Sequence, residues 1–330
     1  MAEGSSIKKT AEFIERCLQK YPCEADIRYD EPMSEHTTFK VGGPADCYIC
    51  PKGGDFVSFC KGLLNDTKAA GIPVFILGGG ANIVVSDKGI RGIVLDMSSW
   101  SGEVDTLPDK EEVLIFKSGT TIDEAANIAA SKSLSGLEFL AGMPGTIGGA
   151  VWMNARSYGK EMSDVLKWVE VVEREQWEES EYIIKKIEAE NTQILNSFGY
   201  KLSPFQKMDC LILSAAFNLK KGDKNKILLE MEKNRQDRRD KGHYLFPSAG
   251  SVFKNNRDFG KPTGQIIDEL GLKGLQIGGA QIAPFHGNII INTGNAAAAD
   301  IRALVDEAAR RVKSATGFEL EPEILFVGKN

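Results

Sequence analysis

The chain has 330 residues, 42% of them hydrophobic and 26% charged, the balance of a globular protein long enough for two or three domains. Its formal net charge is −6, from 40 basic and 46 acidic residues; this disfavours binding by neutralisation of a nucleic-acid backbone, so an anionic ligand needs a local pocket. No apolar run approaches the roughly 20 residues of a membrane helix, and no apolar segment follows Lys8 and Lys9, so no signal peptide is read and a cytoplasmic protein is expected.

Along the chain, the segment after Thr10 has Phe13, Ile14, Cys17 and Leu18 on one face of an amphipathic helix. Residues 45–50 form a strand-like run that holds Cys47 and Cys50. Positions three apart in a strand point to opposite faces, which suits a shared metal poorly. With three histidines and no second such cysteine pair, no metal site is expected. The six cysteines of so long a chain are not read as a disulfide framework. Strands are expected over Val74–Leu77, 93–95, 113–116, 168–172, 211–219, 288–292 and 324–327. Thr121-Ile122-Asp123-Glu124 reads as a capping box that opens a helix to about Lys132. Further helices are expected over 224–239, over 263–270 closed by Gly271, and over 295–316. The last has Ile301, Leu304, Val305, Ala308 and Val312 at helical spacing and ends at Gly317. Helices do not regularly separate the strands, so an α+β architecture is favoured over a doubly wound sheet. The polar stretch 96–110, which contains Pro108, and the lysine-rich break at 220–226 divide the chain into 1–95, 96–219 and 220–318, with a final strand in 319–330.

Two glycine-rich segments carry the strongest signal. Gly78-Gly79-Gly80-Ala81-Asn82-Ile83 follows the first strand, and Gly142-Met143-Pro144-Gly145-Thr146-Ile147-Gly148-Gly149 lies in a longer run from Gly136 to Gly159. Glycines permit positive φ and leave N–H groups uncovered, and consecutive bare N–H groups make a concave anion site fit for a pyrophosphate. Neither segment is a GxGxxG fingerprint, because Ile83 stands where the third glycine belongs, and no GxxxxGK[ST] loop is present. Ser251, in Pro247-Ser248-Ala249-Gly250-Ser251, reads either as an exposed proton donor or as part of a polar turn; GxSxG is absent, so a hydrolase nucleophile is disfavoured. Glu323, entering an apolar strand, is either an outward strand residue or a buried acid. His286 before a strand, the Arg235/Arg238/Arg239 group on a helix, and Tyr200-Lys201 after a turn decide nothing alone.

Taken together and in order, TTFKVGGPAD (37–46), LGGGANIVV (77–85), GLEFLAGMPGTIGGAVWMN (136–154), Tyr158-Gly159, PSAGSVFKN (247–255), QIGGA (276–280) and LEPEI (320–324) resemble the UDP-N-acetylenolpyruvoylglucosamine reductase family. The likeness runs from about Thr37 to Gly328. It implies an FAD-binding half of the vanillyl-alcohol-oxidase type in two α+β subdomains, followed by an α+β substrate domain. It implies bound FAD, NADPH as co-substrate, and reduction of an enolpyruvyl UDP-sugar in peptidoglycan precursor synthesis. By the same resemblance Ser251 is the proton donor and Glu323 the acid beside the developing enol. Gly78 to Ile83, Gly142, Pro144, Gly145, Thr146, Gly148, Gly149 and Arg238 attend the flavin, and Tyr200, Asn255 and His286 attend the substrate. A monomer without nucleic-acid or membrane partners is expected. A related flavin oxidase, or a flavin-binding protein without catalysis, are the other readings.

The chain departs from the family pattern at two places. Where the family has Tyr-Arg-x-Ser-x-Phe, this chain has Tyr200-Lys201-Leu202-Ser203-Pro204-Phe205. Lys201 keeps the charge and loses the bidentate fork, and is expected to serve as the catalytic cation. Arg156 stands where many members have glycine, and is expected to bring guanidinium charge near the flavin or substrate. No tyrosine-bearing insertion is visible between Leu219 and Pro247, which places the chain with the members that lack that loop.

Overall fold

The computed structural model describes residues 2–104, 111–174 and 181–329; Pro108 lies outside them. Helices and strands are mixed without regular alternation, the α+β arrangement expected. Three main sheets follow one another along the chain. A four-stranded sheet takes Ala25–Pro32, Pro44–Pro51, Ile90–Asp96 and Val74–Leu77 in that spatial order. A five-stranded sheet orders Tyr182–Glu188, Leu166–Arg174, Cys210–Asn218, Val113–Lys117 and Glu103–Val104. A three-stranded antiparallel sheet joins Gln276–Ile277, Ala280–Ile282 and Ile290–Asn292. No helix among the described residues is long and apolar enough to cross a membrane.

The chain divides into two compact units: 1–29 with 47–79 and 92–235, and 30–46 with 80–91 and 236–330. This division by compactness does not follow the composition breaks near 95 and 219. Segments 30–46 and 80–91 belong with the C-terminal part, and so does the last strand, Leu325–Val327, which pairs in parallel with Ile83–Val85.

In the first unit the central strands of the five-stranded sheet carry the core. Leu166–Arg174 alternates, burying Val169 and Val171 against Ala215 and Phe217 of Cys210–Asn218. The helix Ile122–Ser131 covers this core with Ala125, Ala126, Ala129 and Ala130, small residues that permit a close approach. The Thr121 hydroxyl caps that helix by accepting the Glu124 N–H at 3.3 Å, satisfying one of the end donors that a helix leaves without a backbone partner. A second core gathers Phe13, Ile14 and Cys17 of the N-terminal helix with Phe59, Cys60 and Leu63 of the helix Phe56–Ala70. Cys47 and Cys50 are both buried.

In the second unit the helix Ala298–Thr316 lays Ile301, Leu304, Val305, Ala308 and Val312 into a core shared with Phe39, Val41, Val84, Val252 and Ile290. It stops at Gly317, whose φ of +78° is the left-handed turn that a glycine C-cap supplies without strain.

Candidate functional site

In the first unit Gly78 and Gly79, which open the first glycine segment, lie against the second segment. A Cβ on Gly78 would stand 2.7 Å from Thr146 Oγ1, and one on Gly79 would stand 2.7 Å from the Gly145 Cα. Only glycine allows so close a backbone approach. The second segment is registered against the end of Val113–Lys117 and the start of the 122–131 helix. The Ile122 N–H donates to the Gly145 carbonyl at 3.1 Å, the Ile147 N–H to the Thr120 carbonyl at 2.8 Å, and the Gly148 N–H to the Ser118 carbonyl at 2.8 Å.

The expectation that the glycines of this run leave their N–H groups bare is corrected for three of them. Gly142 N–H donates to Asp123 Oδ1 at 2.7 Å, and Gly149 N–H to Thr146 Oγ1 at 3.4 Å. With the Gly148 bond these donors are used within the protein. Gly148 is needed for packing instead, since its Cβ would stand 2.8 Å from the Ser118 Cβ. The N–H groups of Gly78, Gly79, Gly145 and Thr146 meet no acceptor among the described residues. Four such donors on two apposed loops fit a diphosphate, so the residues present fit a dinucleotide cofactor.

Asp123, read from sequence only as part of a cap, also builds this site. It accepts from Gly142 and pairs with Arg235 at 2.9 Å. Burial pushes its carboxyl up, but the Gly142 N–H and the Arg235 guanidinium outweigh that and hold it below the usual carboxylate range.

Lys201 and Tyr200 belong to the same unit. They form the two-residue turn between Gly199 and Leu202, whose N–H groups each donate to the other's carbonyl at 3.0 Å. Lys201 sits at φ +57°, an uncommon conformation for a side chain with a Cβ. The turn is held by Asn154, which is fully buried and itself at φ +44°. Its Nδ2 donates to the Gly199 carbonyl at 2.9 Å and to Glu161 Oε1 at 3.1 Å, and its Oδ1 accepts the Ser163 N–H at 3.0 Å. Asn154 therefore ties the Lys201 turn to the hairpin of Arg156–Ser157 and Lys160–Glu161. Nothing in the composition of the segment singles it out; only the fold reveals its reach.

In the second unit four motif segments close a hydrogen-bonded ring. The Thr38 N–H donates to the Gly80 carbonyl at 3.1 Å, and its hydroxyl to the Ser248 carbonyl at 2.7 Å. Asn82 Nδ2 donates to the Glu323 carbonyl at 3.0 Å, and the Asn82 carbonyl accepts the Leu325 N–H at 2.9 Å. The Glu323 N–H donates to the Val252 carbonyl at 2.7 Å. Ser251 and Glu323 are thus carried on directly bonded neighbouring segments. Residues 251–253 are not a regular strand; they make isolated antiparallel bridges, Ser251 with Ile289 and Phe253 with Pro322. Glu323 is 8% exposed, so the outward-facing alternative does not hold. Gly80, at φ +60° with its Cβ position 2.0 Å from the His36 carbonyl oxygen, is confined to glycine.

Asn288 fixes the same segment by accepting the Phe253 N–H at 2.9 Å and donating to its carbonyl at 2.8 Å. Asn255 Oδ1 accepts the Thr263 N–H at 2.9 Å. His286 Nδ1 accepts the Asn288 N–H at 3.1 Å, which puts the proton of the neutral ring on Nε2. Burial and the charge of Lys241 keep His286 below the usual histidine range. Its ring centroid lies 6.0 Å from that of His243, which burial, Arg238, His286 and Lys241 push down to about 4. Arg238 is 9% exposed, so it does not belong to a solvated helix face, whereas Arg239 is exposed and bonds Gln236 at 2.9 Å.

The chain is similar to known proteins over most of its length. Residues 59–175 match the family model described as FAD binding domain, and residues 240–327 match that of the UDP-N-acetylenolpyruvoylglucosamine reductase C-terminal domain. A protein named UDP-N-acetylenolpyruvoylglucosamine reductase from Treponema denticola is 40% identical over 318 residues, covering 92% of this chain and 94% of its own. One of the same name from Borrelia garinii subsp. bavariensis is 39% identical over 322 residues, covering 98% of each. The crystal structure of UDP-N-acetylenolpyruvylglucosamine reductase from Thermus caldophilus superposes with a TM-score of 0.71 at 31% identity, over 92% of this chain and 100% of that one. By sequence over nearly its whole length and by fold, the chain belongs to the UDP-N-acetylenolpyruvoylglucosamine reductase family.

Proposed function

We propose that the protein reduces the enolpyruvyl group of UDP-N-acetylglucosamine enolpyruvate to give UDP-N-acetylmuramate, with FAD bound and NADPH as electron source, in peptidoglycan precursor synthesis. The observation that carries this reading is the direct bond between the Ser251 and Glu323 segments, Glu323 N–H to Val252 carbonyl at 2.7 Å, in a chain that also builds a diphosphate cradle. Gly78, Gly79, Gly145 and Thr146 would hold the cofactor's diphosphate by their N–H groups. Gly80, Ala81, Asn82, Ile83, Gly142, Pro144, Gly148 and Gly149 would shape its walls, and Arg238 would lie against the flavin. The chemistry that bound FAD supplies is hydride relay from NADPH to the terminal carbon of the enolpyruvyl double bond.

Negative charge then builds on the adjacent carbon and its carboxylate. Lys201 supplies the positive charge that stabilises it. Ser251 gives its hydroxyl proton to that carbon, completing the saturated lactyl ether. Glu323, buried on the segment bonded to Val252, would bring its carboxyl group to the developing enolate. Tyr200, Asn255 and His286 position the substrate, His286 through the Nε2–H that its Asn288 contact enforces. On the same reading 1–95 and 96–219 are the halves of the FAD-binding part and 220–318 the substrate domain, each around its own sheet, with 319–330 returning Glu323. The protein acts as a monomer in the cytoplasm, without a nucleic-acid partner, where NADPH and nucleotide sugars are available.

An anaerobic absorbance titration tests the reading. NADPH should bleach the bound flavin, and the enolpyruvyl nucleotide should restore its colour in equimolar amount. Bleaching without restoration would reject the substrate, and absence of any flavin in the purified and FAD-reconstituted protein would reject the cofactor.

A further inference from the structure

We propose that Arg156 is a second substrate-binding cation, which together with Lys201 grips the carboxylate of the enolpyruvyl group; the assignment rests on the substrate proposed above. Arg156 opens a tight hairpin whose turn residues, Tyr158 at φ +51° and Gly159 at φ +79°, have the two positive angles of a type I′ connection. Its cross-strand partner is Glu161, so the two side chains share a face. Yet the ion pair between them is loose, 3.8 Å from Arg156 to Glu161 Oε2. The other carboxylate oxygen, Oε1, is already engaged by Asn154 Nδ2 at 3.1 Å and the Ser163 hydroxyl at 2.9 Å, which holds Glu161 back from a bidentate match.

The Arg156 guanidinium instead lies 5.5 Å from the centroid of the Tyr200 ring, within cation–π range, and its side chain is 31% exposed. Lys201 is the next residue after Tyr200, in a turn that the same Asn154 side chain fixes at 2.9 Å. One buried amide thus holds both the turn that carries Lys201 and the carboxylate opposite Arg156. A guanidinium has five donors in a planar fork. A single ion pair at 3.8 Å and a ring contact leave that fork able to take a carboxylate bidentately, which an ammonium at Lys201 cannot do. The geometry divides the work: Lys201 gives a point charge, and Arg156 gives the directional fork.

The test is binding to the oxidised FAD-loaded protein, followed by calorimetry, of two ligands: the enolpyruvyl nucleotide, and UDP-N-acetylglucosamine, which has the diphosphate but no enolpyruvyl carboxylate. Arg156→Gln should weaken the first about tenfold or more, the worth of a charged hydrogen bond, and leave the second unchanged. Arg156→Lys should recover only part of the loss. FAD affinity and thermal midpoint should match the native protein in both variants. Glu161→Gln, which keeps the Oε1 acceptor and removes the competing charge, should bind the enolpyruvyl nucleotide no more weakly than the native chain. Equal binding by Arg156→Gln and the native protein would overturn the proposal and leave the function standing. Equal weakening of both ligands would overturn it too, by moving Arg156 to the diphosphate. Weakening by Glu161→Gln as large as by Arg156→Gln would reduce Arg156 to a structural partner. Failure of the native protein itself to bind the enolpyruvyl nucleotide would instead reject the proposed substrate.

Discussion

Lys201 occupies a left-handed turn position, at φ +57°, that costs a residue with a Cβ on the order of 1 kcal/mol. Arginine there would meet the same backbone cost and add a fork, so the turn itself does not select lysine. Lys201→Arg is therefore expected to leave kcat unchanged or raise it by up to about tenfold; a large fall in steady-state turnover would show that Lys201 does not share the role of an arginine. The charge and spacing of Tyr200-Lys201 were visible in the sequence, but their importance was not, because Asn154, Glu161 and Arg156 converge on them only through folding. A second residue-scale prediction concerns His243. In the unfolded chain it protonates near its usual 6.5, whereas in the fold burial first, and then Arg238, His286 and Lys241, push it down to about 4. Between these values the unfolded chain binds the proton and the folded one does not, so His243 erodes stability as pH falls from 6.5 to about 4, and the loss levels off below. Denaturant unfolding of His243→Gln should show a shallower fall across that window than the native protein and the same slope above pH 7. Parallel curves throughout would show that the ring is neutral in neither state's favour.

At the scale of elements, the glycine loops show what spacing does and does not reveal. Counting glycines locates both loops, but not that three of the N–H groups are used internally, since their acceptors, Asp123, Ser118 and Thr146, come from an adjacent helix, a strand end and the loop itself. Long helices with clear caps, such as Ile122–Ser131 and Ala298–Thr316, are legible because period and end signals agree. The helix Ile147–Trp152 was not expected, since Gly148 and Gly149 disfavour a helix; here close packing on Ser118 overrides propensity. The strand Tyr182–Glu188 was also missed: its run of exposed residues, with burial only at Tyr182 and Ile187, hides the alternation on which a strand prediction rests. The contact of Gly79 with Gly145 gives the prediction at this scale. A methyl at 79 would meet backbone at 2.7 Å, which cannot rotate away, so Gly79→Ala must push the loops apart. Overpacking of this kind costs about 1–3 kcal/mol. The apoprotein should lose stability in that range, and FAD affinity, read by flavin fluorescence, should fall by at least about tenfold. Native FAD affinity in the variant would mean that the paired loops do not hold the diphosphate.

For the whole molecule, linear boundaries cannot describe a unit assembled from three separate stretches. Composition marks where strands end and loops begin, and each main sheet does come from one continuous region. It does not report that Phe39, Val41 and Val84 complete the core around Val252, Ile266, Ile290 and Ile301, because apolar residues in short segments carry no address. The consequence is testable. Residues 236–330 alone would keep the helix Ala298–Thr316 and the sheet of Gln276–Ile277, Ala280–Ile282 and Ile290–Asn292. They would lose the parallel partner of Leu325–Val327, supplied by Ile83–Val85. They would lose the Asn82 side chain that donates to the Glu323 carbonyl and the Thr38 hydroxyl that donates to that of Ser248. They would also lose Asp87, whose carboxylate accepts the N–H groups of Ala298 and Ala299 at 2.7 and 2.9 Å and so caps the long helix. Removing three buried apolar side chains costs several kcal/mol by transfer and cavity terms together, and a lost cap about 1 kcal/mol more. That is comparable with the whole stability of a domain of this size, about 5–15 kcal/mol. The isolated 236–330 fragment should therefore lack a cooperative thermal transition and show poor amide dispersion by NMR. A circularly permuted or fused chain that restores 30–46 and 80–91 in covalent linkage should regain both. A fragment that folds cooperatively without those segments would show that the C-terminal part is complete in itself, and that the first ninety residues only borrow its surface to place Asn82 against Glu323.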